Sequence, residues 1–129
     1  MPNVLYPSAI EGLLDGTLRL STDSLRVILT GAEYRFASEH RTLADIDPDD
    51  RVAISDRLDM RSFHDGVFDA ADVTFGSPPL GRSAIAIVLY DEDTSDLIAY
   101  IDQGRGLPVI TNGAPIVCAW SDAGIFSLT

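Results

Sequence analysis

The feature that most constrains the fold is an apolar run at residues 83–90, whose two alternating faces are both apolar. A half-exposed strand carries polar residues on one face, so this run predicts a central strand that is covered on each side. The acidic segment 91–96 follows and predicts a turn. A second apolar run, 97–101, is then expected to pair antiparallel with the first. We expect both runs to lie back to back with the earlier strands.

Shorter strand patterns occupy much of the remaining chain and are separated by Gly, Pro and Asn, which break strands and supply turns. They lie at residues 24–30, 51–55, 67–75 with a bulge near 69–71, 116–120 and 125–128. About seven or eight short antiparallel strands are typical of an all-β fold, a β-sandwich or a small barrel. The length predicts a single domain spanning residues 1–129.

Three turns are expected between these strands. Asp65–Gly66 and Asn112–Gly113 predict tight hairpin turns, because both pairs tolerate the positive φ angles that such turns require. Residues 122–124 are expected to turn the chain between its last two strands. Closely spaced turns of this kind favour antiparallel over parallel pairing.

The N-terminal residues predict a short helix preceded by an arm at about residues 1–6. Ser8 is the expected N-cap, and Glu11 lies three residues later, as in a capping box. Gly16 is the expected end of the helix. Its apolar face is expected to consist of Ile10, Leu13 and Leu14.

The charge of the chain excludes several classes of function. All nine basic residues are Arg, sixteen of the twenty acidic residues are Asp, and the net charge is −11. Phosphates would be repelled, so we expect no direct nucleic-acid binding.

No apolar run approaches the roughly 20 residues of a membrane span, and the first residues lack the basic flank of a secretion signal. The lone Cys118 lies in an apolar strand, which predicts a buried, inert thiol and no internal disulfide.

An acidic run in the middle of the chain partly matches a calcium-binding loop. Aspartates occupy the first, third, fifth and twelfth positions of such a loop, as Asp45, Asp47, Asp49 and Asp56. However, Asp50 stands where the loop needs glycine, and Pro48 stiffens the middle. We therefore interpret residues 45–50 as a solvated acidic turn, and the same holds for residues 91–96, with cation binding as the open alternative.

No catalytic constellation is evident. The two histidines, His40 and His64, have no neighbours in a zinc or triad pattern, and residues 104–106 (Gly-Arg-Gly) lack the spacing of a phosphate loop. We expect no enzyme activity and no catalytic, cofactor-binding or metal-binding residues. The aromatic residues, which line carbohydrate sites on some β-sandwiches, are expected in the core instead: Tyr34, Phe36, Phe63, Phe68, Phe75, Tyr90, Tyr100, Trp120 and Phe126.

A set of segments in a fixed order spans nearly the whole chain. They are Leu5–Tyr6 and residues 25–29, 51–53, 66–75 (GVFDAADVTF), 86–90, 97–102, 106–109, 112–113, 120 and 125–126. Together they resemble small proteins of about this length that are encoded in the structural gene blocks of tailed bacteriophages and prophages. One departure is that residues 121–124 (Ser-Asp-Ala-Gly) stand where that group has Asn-Gly before its last strand.

This resemblance implies a protein of the virion. Within that setting we expect a capsid decoration, or cement, protein that binds the outer shell in many copies. Its partners are then the major capsid protein and further copies of itself, and its location is the capsid surface after synthesis in the host cytoplasm. The N-terminal arm is expected to reach a neighbouring subunit. The alternative is a tail, head–tail connector or fibre-associated protein; a carbohydrate-binding module, whose Trp120 fluorescence glycans would quench, ranks below it.

Overall fold

The computed structural model describes residues 3–31, 33–76, 80–101, 109–118, 120 and 125–127. These residues contain one α-helix, α1 (Pro7–Asp15), two short 3₁₀ helices (Leu43–Asp45 and Pro48–Asp50) and eleven β-strands. The strands are β1 (Asn3–Leu5), β2 (Leu25–Gly31), β3 (Arg51–Ile54), β4 (Ser62–His64), β5 (Val67–Asp69), β6 (Val73–Phe75), β7 (Leu80–Asp91), β8 (Leu97–Ile101), β9 (Val109–Asn112), β10 (Ile116–Cys118) and β11 (Phe126–Ser127). The strand pairings described are antiparallel, so the all-β class is confirmed.

The largest sheet has six strands in the order β1-β8-β7-β2-β3, with β9 also paired to β7. The apolar run predicted to be central is central: β7 is paired on both sides, and its second half is fully buried. The second apolar run, β8, pairs back antiparallel across the acidic turn, with Val88 opposite Tyr100. Both predictions for this hairpin are confirmed.

The position expected for the earlier strands is wrong for β2 and β3, which belong to the same sheet as β7 and β8. β2 does not lie behind β7 but hydrogen-bonds along it in the same sheet, with Val27 opposite Leu89. Both faces of β2 are buried, as are both faces of the second half of β7. Periodicity reports which side chains are buried and not which strand lies alongside, so sequence cannot separate these two arrangements.

The described residues form two smaller sheets as well. In one, β6 pairs with β10, and in the other, β5 lies between β4 and β11. The single strand predicted at 67–75 is therefore wrong, because β5 and β6 belong to different sheets and no ladder runs through the residues between them. Side chains compete with the ladder here. The Asp69 carboxylate accepts from the Ala70 N–H at 2.8 Å, and the Asp72 carboxylate accepts from the Trp120 N–H at 3.1 Å.

The turn predictions have different outcomes. Asp65 and Gly66 have φ angles of 52° and 80° and join β4 to β5 as a hairpin, as expected. The second expected hairpin is wrong, because β9 pairs with β7 while β10 pairs with β6. The side-chain oxygen of Asn112 instead accepts a hydrogen bond from the Ala114 N–H. Gly113 has a positive φ, whereas Asn112 does not. The turn expected at 122–124 and the glycines at 104 and 106 lie outside the described residues.

Helix α1 begins differently from the prediction. Its N-cap is Tyr6, whose side chain makes no capping hydrogen bond. Pro7 is the first residue of the helix, where its fixed φ suits the helical backbone. Ser8 therefore lies inside the helix, and the predicted capping box with Glu11 is wrong. Gly16 ends the helix in the left-handed region, with φ 83°, as predicted.

The face that α1 buries also differs from the prediction. Ala9 and Gly12 are buried, whereas Ile10 is 41% and Leu14 is 83% exposed. The helix approaches the following segment so closely that a Cβ atom at Gly12 would lie 3.0 Å from the Leu18 Cβ atom. The small residues Ala9 and Gly12 therefore face the domain together with the half-buried Leu13, and the predicted face is wrong for Ile10 and Leu14.

The predicted N-terminal arm is wrong for residues 3–6. β1 forms the edge of the main sheet, with Val4 opposite Tyr100 of β8. The Tyr6 N–H donates to the Ile98 carbonyl oxygen at 3.0 Å, and the Tyr6 side chain is completely buried. These residues are part of the domain, so no free arm at this position is able to reach a neighbouring subunit.

Candidate functional site

The acidic residues at 45–50 cap backbone groups. The Asp45 carboxylate accepts from the N–H groups of Arg41 and Thr42 at 2.7 and 3.1 Å, and these bonds lower its pKa. The Asp47 carboxylate accepts from the Asp49 N–H at 3.0 Å and caps the second 3₁₀ helix. Within the described parts of the chain, no three His, Cys, Asp or Glu side chains are placed to hold a metal ion.

The second acidic segment, 91–96, is not fully solvated. Asp91 is 0% exposed, and one of its carboxyl oxygens accepts from the Asp93 N–H at 2.8 Å. The other oxygen is buried and has no hydrogen-bond partner among the described residues. Burial and the Asp23 carboxyl raise the pKa of Asp91 to about 6. The interpretation of this segment as a solvated turn is therefore wrong for Asp91.

The two histidines lie in unrelated environments. His40 Nδ1 is 3.0 Å from the Tyr34 hydroxyl, which lies 2.6 Å from the buried Tyr6 hydroxyl. His64 is 88% exposed, with its Nε2 atom 3.2 Å from the Asp65 carboxylate. The structure does not bring either histidine to a nucleophilic side chain through these contacts.

Removal of the Tyr6 hydroxyl tests the buried Tyr6–Tyr34 contact. We expect Tyr6→Phe to lower the free energy of unfolding by about 1 kcal/mol, because the Tyr34 hydroxyl loses a buried partner. Urea unfolding measures the change. The control is the same substitution in a Tyr34→Phe background, where the loss is expected to be much smaller. Equal losses in both backgrounds would show that the two hydroxyls are not coupled.

Cys118 and Trp120 both lie against the core. The predicted buried thiol is half-buried, and this burial raises the pKa of Cys118 to about 12, so the thiol is protonated at neutral pH. Trp120 is 9% exposed, and its Nε1–H donates to the Ala71 carbonyl oxygen at 3.1 Å. A tryptophan in this position does not present a ring face to a sugar.

Core placement of the aromatic residues is confirmed for eight of the nine. Six are buried and two are half-buried against the core: Tyr34, Phe68, Phe75, Tyr90, Tyr100 and Trp120, then Phe36 and Phe126. The exception is Phe63, which is 51% exposed.

Phe63 belongs to an exposed apolar surface that it forms with Met60, which is 78% exposed. Both side chains line an open depression of about 430 Å³, which we call the Met60/Phe63 surface. On the other side of Phe63 lies a second depression of about 250 Å³, lined by Phe68 and Phe126 among others. Large contiguous exposed apolar patches mark interaction sites in folded proteins, and this pair of side chains is the candidate here. Sequence reasoning missed this one, although the polar neighbours of Phe63 were a signal.

The backbone of Met60 is in an unusual conformation. Its φ is 50°, in the left-handed region that glycine and asparagine adopt more readily. Hydrogen bonds on each side fix this conformation: the Leu58 N–H donates to the Leu25 carbonyl oxygen at 2.8 Å, and the Ala71 N–H donates to the Asp59 carbonyl oxygen at 2.9 Å. Such a residue costs about 1 kcal/mol or more, and strained residues cluster at functional sites.

The charge around the Met60/Phe63 surface is negative. Both nearby carboxylates are exposed: Asp59 lines the depression beside Met60, and Asp65 lines the second depression beside Phe63. The Arg61 guanidinium is half-buried and donates to the Leu20 carbonyl oxygen at 2.6 Å, so it is committed to the protein itself. The candidate site is therefore a pair of exposed apolar side chains in a depression that Ser21, Asp59 and Arg61 also line.

The structure defines an acidic, antiparallel all-β protein with an exposed pair of apolar side chains, Met60 and Phe63. Comparison with models of known protein families, with curated proteins and with solved structures gives no match for the chain. Among the described residues, no helix is long and apolar enough to cross a membrane.

Proposed function

We propose that the chain is a non-enzymatic structural protein of a bacteriophage virion, a capsid decoration protein that binds the outer shell in many copies and stabilises it. The observation that carries this proposal is the exposed apolar pair Met60 and Phe63 on a domain with a net charge of −11. A strongly acidic surface opposes self-association and contact with DNA. An exposed apolar surface on such a domain favours one complementary protein, and we propose the major capsid protein.

The setting is supported by the segments that resemble phage virion proteins, and the architecture suits it. We propose that the three sheets form a β-sandwich, because Phe68 and Phe75 of the small sheets belong to the same hydrophobic cluster as Val27 and Leu89 of the main sheet. A densely packed β domain keeps its shape when it is added to a preformed shell. This stiffness does not require a disulfide.

Copy number in purified particles tests the proposal. Virions are prepared from the strain that encodes the chain and from a deletion strain, and the chain is quantified against the major capsid protein by mass spectrometry. We expect comparable copy numbers, cryo-electron microscopy density on the outer shell, and earlier heat-induced DNA release from the deletion particles. A copy number far below that of the capsid protein would favour the tail, connector or fibre alternative. Absence from the particles would overturn a virion function.

A further inference from the structure

We propose that the Met60/Phe63 surface is a docking site for an apolar side chain of a protein partner that carries arginine or lysine on both sides of that side chain. The identity of this partner as a shell protein rests on the proposed function, but the chemistry of recognition does not. It follows from the shape, the backbone conformation and the charge of the surface.

The apolar part of the site is rigid. The Phe63 ring stacks on the buried Phe68 ring with their centroids 5.2 Å apart, and Phe68 contacts Phe126 with a centroid distance of 5.4 Å. Phe63 lies between the two depressions, and its stacking on Phe68 holds the ring in one position. Rigid aromatic side chains beside a pocket are the usual anchors of protein interfaces, because little conformational entropy is lost on binding.

Folding alone does not account for Met60. The position has a left-handed backbone, where glycine or asparagine would cost less, and its side chain is 78% exposed, where a polar residue would suffice. The fold itself holds the backbone, because the Asp59 carboxylate accepts the Met60 N–H at 2.8 Å, whereas the exposed Met side chain is explained when a partner buries it. Methionine adapts its shape to an incoming apolar group, as it does at other binding surfaces.

The charge near the surface identifies the occupant. Asp59 and Asp65 are exposed, and the side chain of the nearby His64 lies beside the Asp65 carboxylate. In a symmetric dimer through this surface, each copy would face the same two carboxylates on the other. Such an arrangement is repulsive, especially at a net charge of −11 per chain. A partner with Arg or Lys beside its apolar anchor complements both parts of the surface.

A short peptide probes this recognition without the virion. The probe has a central Leu flanked by two Arg on each side, and it is titrated into the full-length ¹⁵N-labelled chain by NMR. We expect saturable shifts of the amide signals from Met60 to Gly66. Glu-flanked and Ser-centred peptides are expected to bind at least about tenfold more weakly, because each lacks one half of the complementarity. Shifts centred on the acidic turns at 45–50 and 91–96 would instead show charge attraction only and would overturn the proposal.

The substitution Met60→Asn separates docking from folding. Asparagine tolerates the left-handed backbone, so the melting temperature is expected to stay the same or rise. Affinity for the Arg-flanked peptide is expected to fall at least about tenfold. The matched control is Leu14→Gln, which removes another highly exposed apolar side chain from helix α1 and is expected to leave the affinity unchanged. Equal binding by Met60→Asn and the wild type overturns the proposal.

Two further measurements assign any failure to the correct hypothesis. If wild type and Met60→Asn decorate deletion particles equally, the docking surface is wrong and the virion function stands. If the wild type does not bind particles, the virion function is wrong and the peptide titration alone decides the docking surface. Analytical ultracentrifugation checks the occupant: a wild-type dimer that Met60→Asn dissociates would replace the cationic partner with a second copy of the chain.

Discussion

Asp91→Asn is expected to raise the free energy of unfolding by roughly 2 kcal/mol at about pH 8, with little gain at about pH 4. Asp91 is completely buried at the end of β7 and lies against the Asp23 carboxyl. An asparagine retains an oxygen for the Asp93 N–H and carries no charge. The substitution therefore keeps this hydrogen bond and removes the buried negative charge.

The direction of this effect follows from the pKa. The pKa of Asp91 is about 6 in the folded protein and lies above the ordinary value of 3.8 for the unfolded chain. The folded state holds this proton more tightly, so its contribution to stability is complete below about pH 4 and is lost as the pH rises through 6. Asp23 and Asp45 act oppositely, because their lowered pKa values contribute stability that is lost as the pH falls below 3.8. Wild-type stability is therefore expected to be greatest near pH 4 to 5.

Urea unfolding at several pH values between about 4 and 8 measures the effect. The control is Asp49→Asn, which removes the same charge from an exposed position and is expected to leave the pH profile unchanged. Arg19 and Arg61 also interact with the Asp23 carboxylate. Because salt screens such interactions, all variants are compared at the same ionic strength. A loss of stability in Asp91→Asn at about pH 8 would contradict an unfavourable buried charge at Asp91.

Leu89→Ala is expected to lower the free energy of unfolding by about 3 kcal/mol. Leu89 is 0% exposed and lies in the central strand, opposite Val27 of β2 and Ala99 of β8. Truncation removes apolar burial and leaves a cavity that two paired neighbours prevent from closing.

Urea unfolding at about pH 5 measures this loss, with Leu14→Ala as the control. Leu14 is 83% exposed, so its truncation is expected to change stability by less than about 0.5 kcal/mol. A loss below about 1 kcal/mol for Leu89→Ala would mean that the centre of the sheet repacks, which contradicts a tightly packed core.

The parts of the fold that sequence predicts well depend on neighbouring residues. The β7–β8 hairpin follows from two apolar runs and the acidic residues between them, and the β4–β5 turn follows from Asp65–Gly66. Gly16 likewise marks the end of α1. In each case the structure depends on residues within one short segment, where propensity and pattern carry the information.

The failures involve choices between neighbours that are distant in sequence. The alternation in β2 indicates burial, but the pairing of Val27 with Leu89 is decided by the whole sheet. The break after β5 depends on Asp72, whose carboxylate accepts a hydrogen bond from Trp120 far along the chain. Side-chain competition of this kind leaves no periodic signal.

The candidate site was harder to predict for a similar reason. Phe63 was assigned to the core from its aromatic type, although it is half exposed. Met60 gave no signal at all, because nothing in the local pattern predicts a left-handed backbone at a methionine. Asp91 was interpreted as solvated because it lies in an acidic run, whereas its burial is created by the strands around it.

The pairing of β2 with β7 also has a consequence during synthesis. Leu25 pairs with Asp91, which lies far along the chain. The ribosome therefore completes β2 long before its pairing partner, β7, has been made. Until then the growing polypeptide exposes the apolar face of β2, formed by Leu25, Val27 and Leu29, and such segments aggregate or bind chaperones. A chain whose translation stops before β7 is therefore expected to aggregate instead of folding into part of the domain.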